Sequence, residues 1–158
     1  MDDDRPDRNR KTEVVLRLRN RAEDGLGKPL PAGGVSVFET APGGTPIFAG
    51  QDSIGDMAEE LPIEIKTGRA LDVPVEARVT DRTTTGSGRS KQDQANMEVT
   101  MENKKAIPIV LEIRQSPFVA MHINSDDSVV SESGFAVWRF DLAPGERRIL
   151  RYTMRWPA

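Results

Sequence analysis

His122 is the only histidine in the chain and the one conventional base near neutral pH. Ser116, Ser125, Asp126 and Asp127 stand close to it in sequence, so a Ser-His-Asp arrangement for nucleophilic catalysis can be drawn on paper. Such triads are assembled in space on preorganised elements, and proximity along a chain does not build one. The default reading of His122 is therefore a partly exposed histidine at a strand end. Two acidic groups are the next candidates: Asp52, Asp56, Glu59 and Glu60, and then Asp126, Asp127 and Glu132. Calcium takes about six to eight oxygen ligands from loops of this kind, but neither group follows D-x-[DN]-x-[DN]-G-x₅-E. Both read as solvated acidic loops, with weak calcium binding as the rival.

Arg147, Arg148, Arg151 and Arg155 form a basic run near the C-terminus, with Arg147, Arg151 and Arg155 of one parity. A stripe of this kind can bind an anionic polymer. The net charge of −3, the 5% aromatic content and acids such as Glu146 argue against nucleic acid and for a solvated face. Trp138 and Trp156 share the parity of Phe140, Leu142, Tyr152 and Met154, which places them as core anchors. Their rival reading is a stacking platform under a sugar ring.

Composition removes other chemistries. With 158 residues and no cysteine, the chain holds no disulfide, iron–sulfur cluster, thiolate zinc site or cysteine nucleophile. One histidine excludes a multi-histidine metal centre, and no cofactor motif is present: GxxxxGK[ST] does not occur around Gly25, Gly27, Gly33 and Gly34. The apolar fraction of 37%, raised by the 13 glycines, is near the ordinary globular value. No stretch approaches the roughly 18 apolar residues of a membrane helix.

The elements that must position these residues are strands. Period-two alternation runs from Thr12 to the C-terminus, and no stretch sustains helical spacing over three turns. Val14, Leu16 and Leu18 make one face of a half-buried strand, and Leu71, Val73, Val75, Ala77 and Val79 make another. Four consecutive half-buried strands follow, carried by Met97–Met101, Ile107–Ile113, Ala136–Leu142 and Leu150–Trp156. Shorter candidates are Val35–Phe38, Thr45–Ala49, Leu61–Lys66 and Phe118–His122. About ten strands with turn signals between them predict an all-β fold, an antiparallel two-sheet β-sandwich of immunoglobulin-like or related type.

Asn103-Lys104-Lys105 has the length of a hairpin, and Ala143-Pro144-Gly145-Glu146 places Pro and Gly at the centre of a type II turn; both are expected to join antiparallel neighbours. Pro62, Pro74 and Pro108 lack a ladder donor and belong at edges or bulges. Longer connections are expected at 21–34, 51–60, 81–94 and 123–134. The second could hold a helical turn, the third is Thr/Gly/Ser-rich and reads as flexible, and together they are the expected seat of function. Residues 1–11 mix four Asp with three Arg and one Lys, read as a disordered tail, and show no signal-peptide core; residues 12–158 read as a single domain.

The order of several short motifs carries a resemblance. Asn20 is followed by Gly25-Leu26-Gly27-Lys28-Pro29-Leu30-Pro31-Ala32-Gly33-Gly34-Val35-Ser36-Val37-Phe38, then by Phe48-Ala49-Gly50-Gln51-Asp52. Gly68-Arg69-Ala70-Leu71-Asp72-Val73, Val99-Thr100-Met101-Glu102-Asn103-Lys104, Leu142-Ala143-Pro144-Gly145-Glu146 and Leu150-Arg151-Tyr152 complete the series, from Glu13 to Trp156. This order resembles the C-terminal domain of unknown function of mucoidy-inhibitor-A-like bacterial proteins. The resemblance implies an all-β module which, in longer relatives, follows another β domain and a coiled-coil-like region, often behind an export signal. It implies no catalytic residues, and it makes this chain an excised domain or the tail of a longer protein.

The resulting expectation is a non-catalytic structural or protein-interaction module of a larger bacterial, cell-envelope or periplasmic protein. Its partner would be another protein or the rest of the parent chain, with no nucleic acid and no membrane span. A carbohydrate-binding module is the alternative, and a hydrolase using loop carboxylates or His122 is the third reading.

Overall fold

Strand patterning is realised almost throughout. The computed structural model describes residues 8–116 and 121–157, and within them lie β1 (Arg8–Arg10), β2 (Glu13–Arg19), β3 (Gly33–Thr40), β4 (Pro46–Ile54), β5 (Pro62–Arg69), β6 (Val75–Thr85), β7 (Gln92–Glu102), β8 (Ile109–Gln115), β9 (His122–Ser125), β10 (Val130–Glu132), β11 (Phe135–Leu142) and β12 (Arg147–Pro157). Every pairing between them is antiparallel. The chain divides into two compact units, one spanning Thr12–Ala70 and one formed from Leu71 onward together with β1, where a single domain over 12–158 was expected. The division follows from pairing: β2–β5 close their ladders among themselves, and β1 joins β6. Of the expected tail, Arg8–Arg10 pair with β6; residues 1–7, and 118–120 of the Phe118–His122 candidate, lie outside the described residues.

In the smaller unit β2 pairs with β5, and β3 with β4. The alternation of β5 buries Ile63 and Ile65 and exposes Glu64 and Lys66. The expected buried face of β2 is only partly covered, since Val14 and Leu16 are 38% and 42% exposed. A unit of about 60 residues buries only about 60% of its unfolded surface, too little to cover two ladders completely. The hairpin β3–β4 meets β5 at Gly50, where a Cβ would stand 2.0 Å from the carbonyl oxygen of Thr67. Two residues on, the Asp52 carboxylate accepts the backbone N–H of Lys66 at 2.8 Å. Asn20, wholly buried at the end of β2, donates to the carbonyls of Lys28 and Ala58 at 2.7 and 3.0 Å and accepts from the N–H of Gly27 at 3.0 Å. One side chain thus ties both long connections of this unit. The second of them, 51–60, contains no helical turn; Met57 bridges to Leu30 instead, and a 3-10 turn occurs at Ala22–Asp24.

The larger unit contains a five-stranded sheet in the order β1-β6-β7-β12-β9 and a three-stranded sheet in the order β10-β11-β8. Inward residues of β7 (Met97, Val99, Met101), β12 (Leu150, Tyr152) and β11 (Trp138, Phe140, Leu142) are buried to 7% exposure or less. Trp138 packs on Tyr152 with ring centroids 4.7 Å apart, so residues from the two sheets share this core. Their polar ends are satisfied across it: Trp138 Nε1 donates to Ser125 Oγ at 3.1 Å, and the Tyr152 hydroxyl donates to Gln115 Oε1 at 3.0 Å. Leu71, expected in a strand face, is 83% exposed because β6 starts only at Val75.

Two expected hairpins are changes of sheet. The turn at 103–108 leads from β7 in the five-stranded sheet to β8 in the three-stranded one, and Ala143–Glu146 leads back from β11 to β12. Glu146 N–H donates to Ala143 O at 3.1 Å and Gly145 has φ +73°, the left-handed value that a type II turn demands at its third position. The buried Asn103 holds both corners. Its Nδ2 donates to the carbonyls of Ile107, Leu142 and Ala143 at 2.9, 3.1 and 3.1 Å, and its Oδ1 accepts the N–H of Lys105 at 3.0 Å. The expected flexible loop 81–94 is also corrected: β6 runs to Thr85 and β7 begins at Gln92, with a 3-10 turn at Gly88–Ser90 between. Pro62 opens β5, while Pro74 and Pro108 immediately precede β6 and β8, so none interrupts a ladder.

Candidate functional site

Chemistry-bearing side chains of the larger unit collect on the outer face of the five-stranded sheet, because the parity that buries Met97, Val99 and Tyr152 turns their neighbours outward. Glu98 on β7 lies in register with Arg78 on β6 and with Arg151 on β12. Its Oε1 accepts from Arg78 Nε at 3.0 Å and from Arg78 Nη2, and its Oε2 accepts from Arg151 Nε at 3.0 Å and Nη2 at 2.9 Å. The Glu98 side chain is 10% exposed, against 63% for Arg78 and 66% for Arg151. The hydrogen bonds from Arg78, then those from Arg151, hold the Glu98 carboxyl below its usual range.

One step along the sheet, Asn96 Oδ1 accepts from the Thr153 hydroxyl at 2.9 Å, and the Asn96 carbonyl accepts from the Thr80 hydroxyl at 3.2 Å. Thr80 stands where the β6–β7 register slips between Val79 and Asp81, an irregularity of the kind that increases local twist. Beside these groups a shallow concavity of about 330 Å³ opens, its polar lining including Thr80, Asn96, Asn124, Asp126, Arg151 and Thr153.

The structure takes apart the arrangement drawn around His122. His122 is exposed on β9 in register with Arg155, whereas Ser125, three residues on, is in register with the buried Tyr152. Ser125 Oγ accepts from Trp138 Nε1 and from the N–H of Asp127, and Asp127 pairs with Arg148 at 3.2 Å. An odd separation along a strand puts His122 and Ser125 on opposite faces.

The acidic groups are dispersed as well. The backbone N–H of Lys66, then that of Ser53, lowers the Asp52 carboxyl, and Asp56 accepts the N–H of Ala32 at 2.8 Å. Glu132 makes a two-pronged pair with Arg139 at 2.8 and 2.6 Å, which lowers its carboxyl and raises the guanidinium. Among the described residues no group of three or more metal-ligating side chains is placed to hold an ion.

The basic run is divided between two faces. Arg151 is bound to Glu98, Arg155 Nε donates to Gln94 Oε1 at 2.7 Å, and Arg148 lies 4.6 Å over the Phe140 ring. Trp138 is fully buried and Trp156 is half-buried with the Arg82 guanidinium 5.6 Å from its ring, so the paired tryptophan platform does not form. Glu98, Arg78, Asn96 and Asn124 carried no sequence signal beyond outward parity. Comparison with models of known families, with curated proteins and with solved structures finds no match.

Proposed function

We propose that the chain is a non-catalytic interaction module, immunoglobulin-like in class, with the larger unit a two-sheet β-sandwich. What supports the sandwich is the Trp138–Tyr152 contact, with Ser125 and Gln115 closing hydrogen bonds between residues of the two sheets. The non-catalytic reading rests on the alternation of β9, which sends the one histidine and its nearest described hydroxyl partner to opposite faces. The resemblance of the ordered motifs to the mucoidy-inhibitor-A-like C-terminal domain supports a place in a larger bacterial cell-envelope protein, where the rest of the parent chain or another protein is the partner. A turnover screen with ester, glycoside and phosphate substrates, run on the chain and on His122→Ala, tests this. Equal background rates in both are expected, and a reproducible turnover abolished in His122→Ala overturns the reading.

A further inference from the structure

We propose that two copies of this chain associate through the free edge of β2, the two β2 strands running antiparallel about a two-fold axis at Leu16. The inference rests on the interaction reading and names a partner for it, a second copy. β2 pairs with β5 on one side, and no other strand among the described residues pairs with it. Its ladder to β5 skips Thr67, because Val14 is in register with Gly68 and Val15 with Lys66. The irregularity therefore lies in β5, and β2 is an uninterrupted edge from Glu13 to Arg19. Edge strands are ordinarily protected against pairing by a proline, a bulge or an inward charge. β2 has no proline, no bulge of its own and no charge on the face of Val14, Leu16 and Leu18. Val14, Val15 and Leu16 are 38%, 40% and 42% exposed, so apolar surface borders this edge on both faces.

Charge selects the register. Across a two-fold axis the same edge of both strands must face the join, so each residue pairs with one an even number of positions away. With Leu16 opposite Leu16 of the second copy, Val14 meets Leu18, Val15 meets Arg17, and Glu13 meets Arg19. The apolar face then continues across the join, and two Glu13–Arg19 pairs form in each dimer. Arg19 is exposed and makes no side-chain contact among the described residues, so its guanidinium is available. A carboxylate has two oxygens, and Glu13 can keep Lys66 at 3.0 Å on its β5 side while it accepts from Arg19. An axis at Val15 instead sets Glu13 against Arg17, whose Nε already donates to Glu64 at 2.8 Å, and an axis at Arg17 sets that cation against itself. A seven-residue edge is about 20 Å long, short beside a standard interface of roughly 800 Å² per partner. A reversible dimer with a Kd of about 10–100 µM is therefore expected.

The test is sedimentation velocity of the full chain from about 1 µM to about 1 mM, a range that brackets the expected Kd. The native chain should pass from monomer to dimer. Arg19→Glu and Glu13→Arg each set like charges opposite one another at two places in the dimer and should weaken association at least about tenfold. An equimolar mixture of these two variants restores opposite charges at both places and should associate as the native chain does. Leu16→Cys supplies the only thiol of the chain on the axis itself, where paired Cα atoms stand about 4.5–5.5 Å apart, within disulfide reach. Mild oxidation should link it into covalent dimers faster than Val110→Cys, an exposed position on the larger unit. A native chain that stays monomeric to about 1 mM overturns the proposal. So does association unchanged in both single variants, or a mixture that binds no more tightly than either variant alone. The turnover screen bears on the non-catalytic reading alone, so a monomeric chain without turnover removes the dimer and leaves that reading standing.

Discussion

Asn103→Ala should damage the larger unit more than its single-residue size suggests. The native side chain is fully buried and reaches three carbonyls and one N–H across both changes of sheet. Two N–H protons shared among three carbonyls, plus one accepted bond, make about three hydrogen-bond equivalents, each contributing roughly 1 kcal/mol net. Alanine also strands acceptors, of which Leu142 O is reached by a wholly buried bond, and each such group costs about 1–3 kcal/mol when water cannot replace the partner. With one stranded acceptor at the low end of that cost, a loss of about 4 kcal/mol follows, a large part of an ordinary total stability of about 5–15 kcal/mol. For a unit of about 100 residues this lowers Tm by roughly 16–30 °C.

Tryptophan fluorescence is the suitable readout, because Trp138 and Trp156 both belong to the larger unit and report its unfolding alone. Urea titration of the native chain, Asn103→Ala and Asn103→Asp would give the difference at constant m-value. The aspartate keeps the shape but replaces the amide donors with acceptors, so it should be no more stable than the alanine. A loss below about 1 kcal/mol in Asn103→Ala, or full stability in Asn103→Asp, would show that the corners hold without the amide.

Two further outcomes follow from the packing and the ion pairs. Gly50→Ala puts a methyl 2.0 Å from the Thr67 carbonyl oxygen and should destabilise the smaller unit by about 3 kcal/mol, whereas Gly33→Ala, with no atom within 4 Å of the new Cβ, should change it by less than about 0.5 kcal/mol; amide exchange along β4 and β5 separates the two. Glu98, Glu132 and Asp52 all have lowered carboxyls, so the unfolded chain binds more protons than the folded one between the depressed values and the ordinary carboxylate range of about 3.9–4.3. Their stabilisation is complete above that range and is lost as pH falls through it, and Glu98→Gln should flatten the acid limb of a stability–pH profile; an unchanged limb would refute the assignment to Glu98.

Strand faces were legible wherever one side meets a core. Met97, Val99 and Met101 on β7 and Leu142, Leu150 and Tyr152 beyond it alternate as the burial does. Pairing was not legible, because hairpin-length turns at 103–108 and 143–146 carry no mark of the sheet they lead to; that information sits in one buried amide whose acceptors lie up to 40 residues away. Asp81–Thr85 reads as a loop because that end of β6 is exposed on both sides, so it offers no alternation to detect. The Glu98 cluster was hidden for the same topological reason, since its arginines stand 20 and 53 residues from it and meet only when β6, β7 and β12 align.

These misses bear on function together. Long loops were the expected seat of chemistry, yet the longest polar one is mostly strand, and its first paired residues help to form the outer sheet face. A sheet fixes cross-strand neighbours about 4.5–5.5 Å apart at Cβ, closer and more rigidly than a polar loop holds its own side chains. On this fold, then, preorganised polar groups belong on the solvent side of the same strands that build the core. An inward substitution on β7 or β12 that shifts register would move Glu98 away from both arginines at once, so core packing and the geometry of the outer face are set by the same ladder.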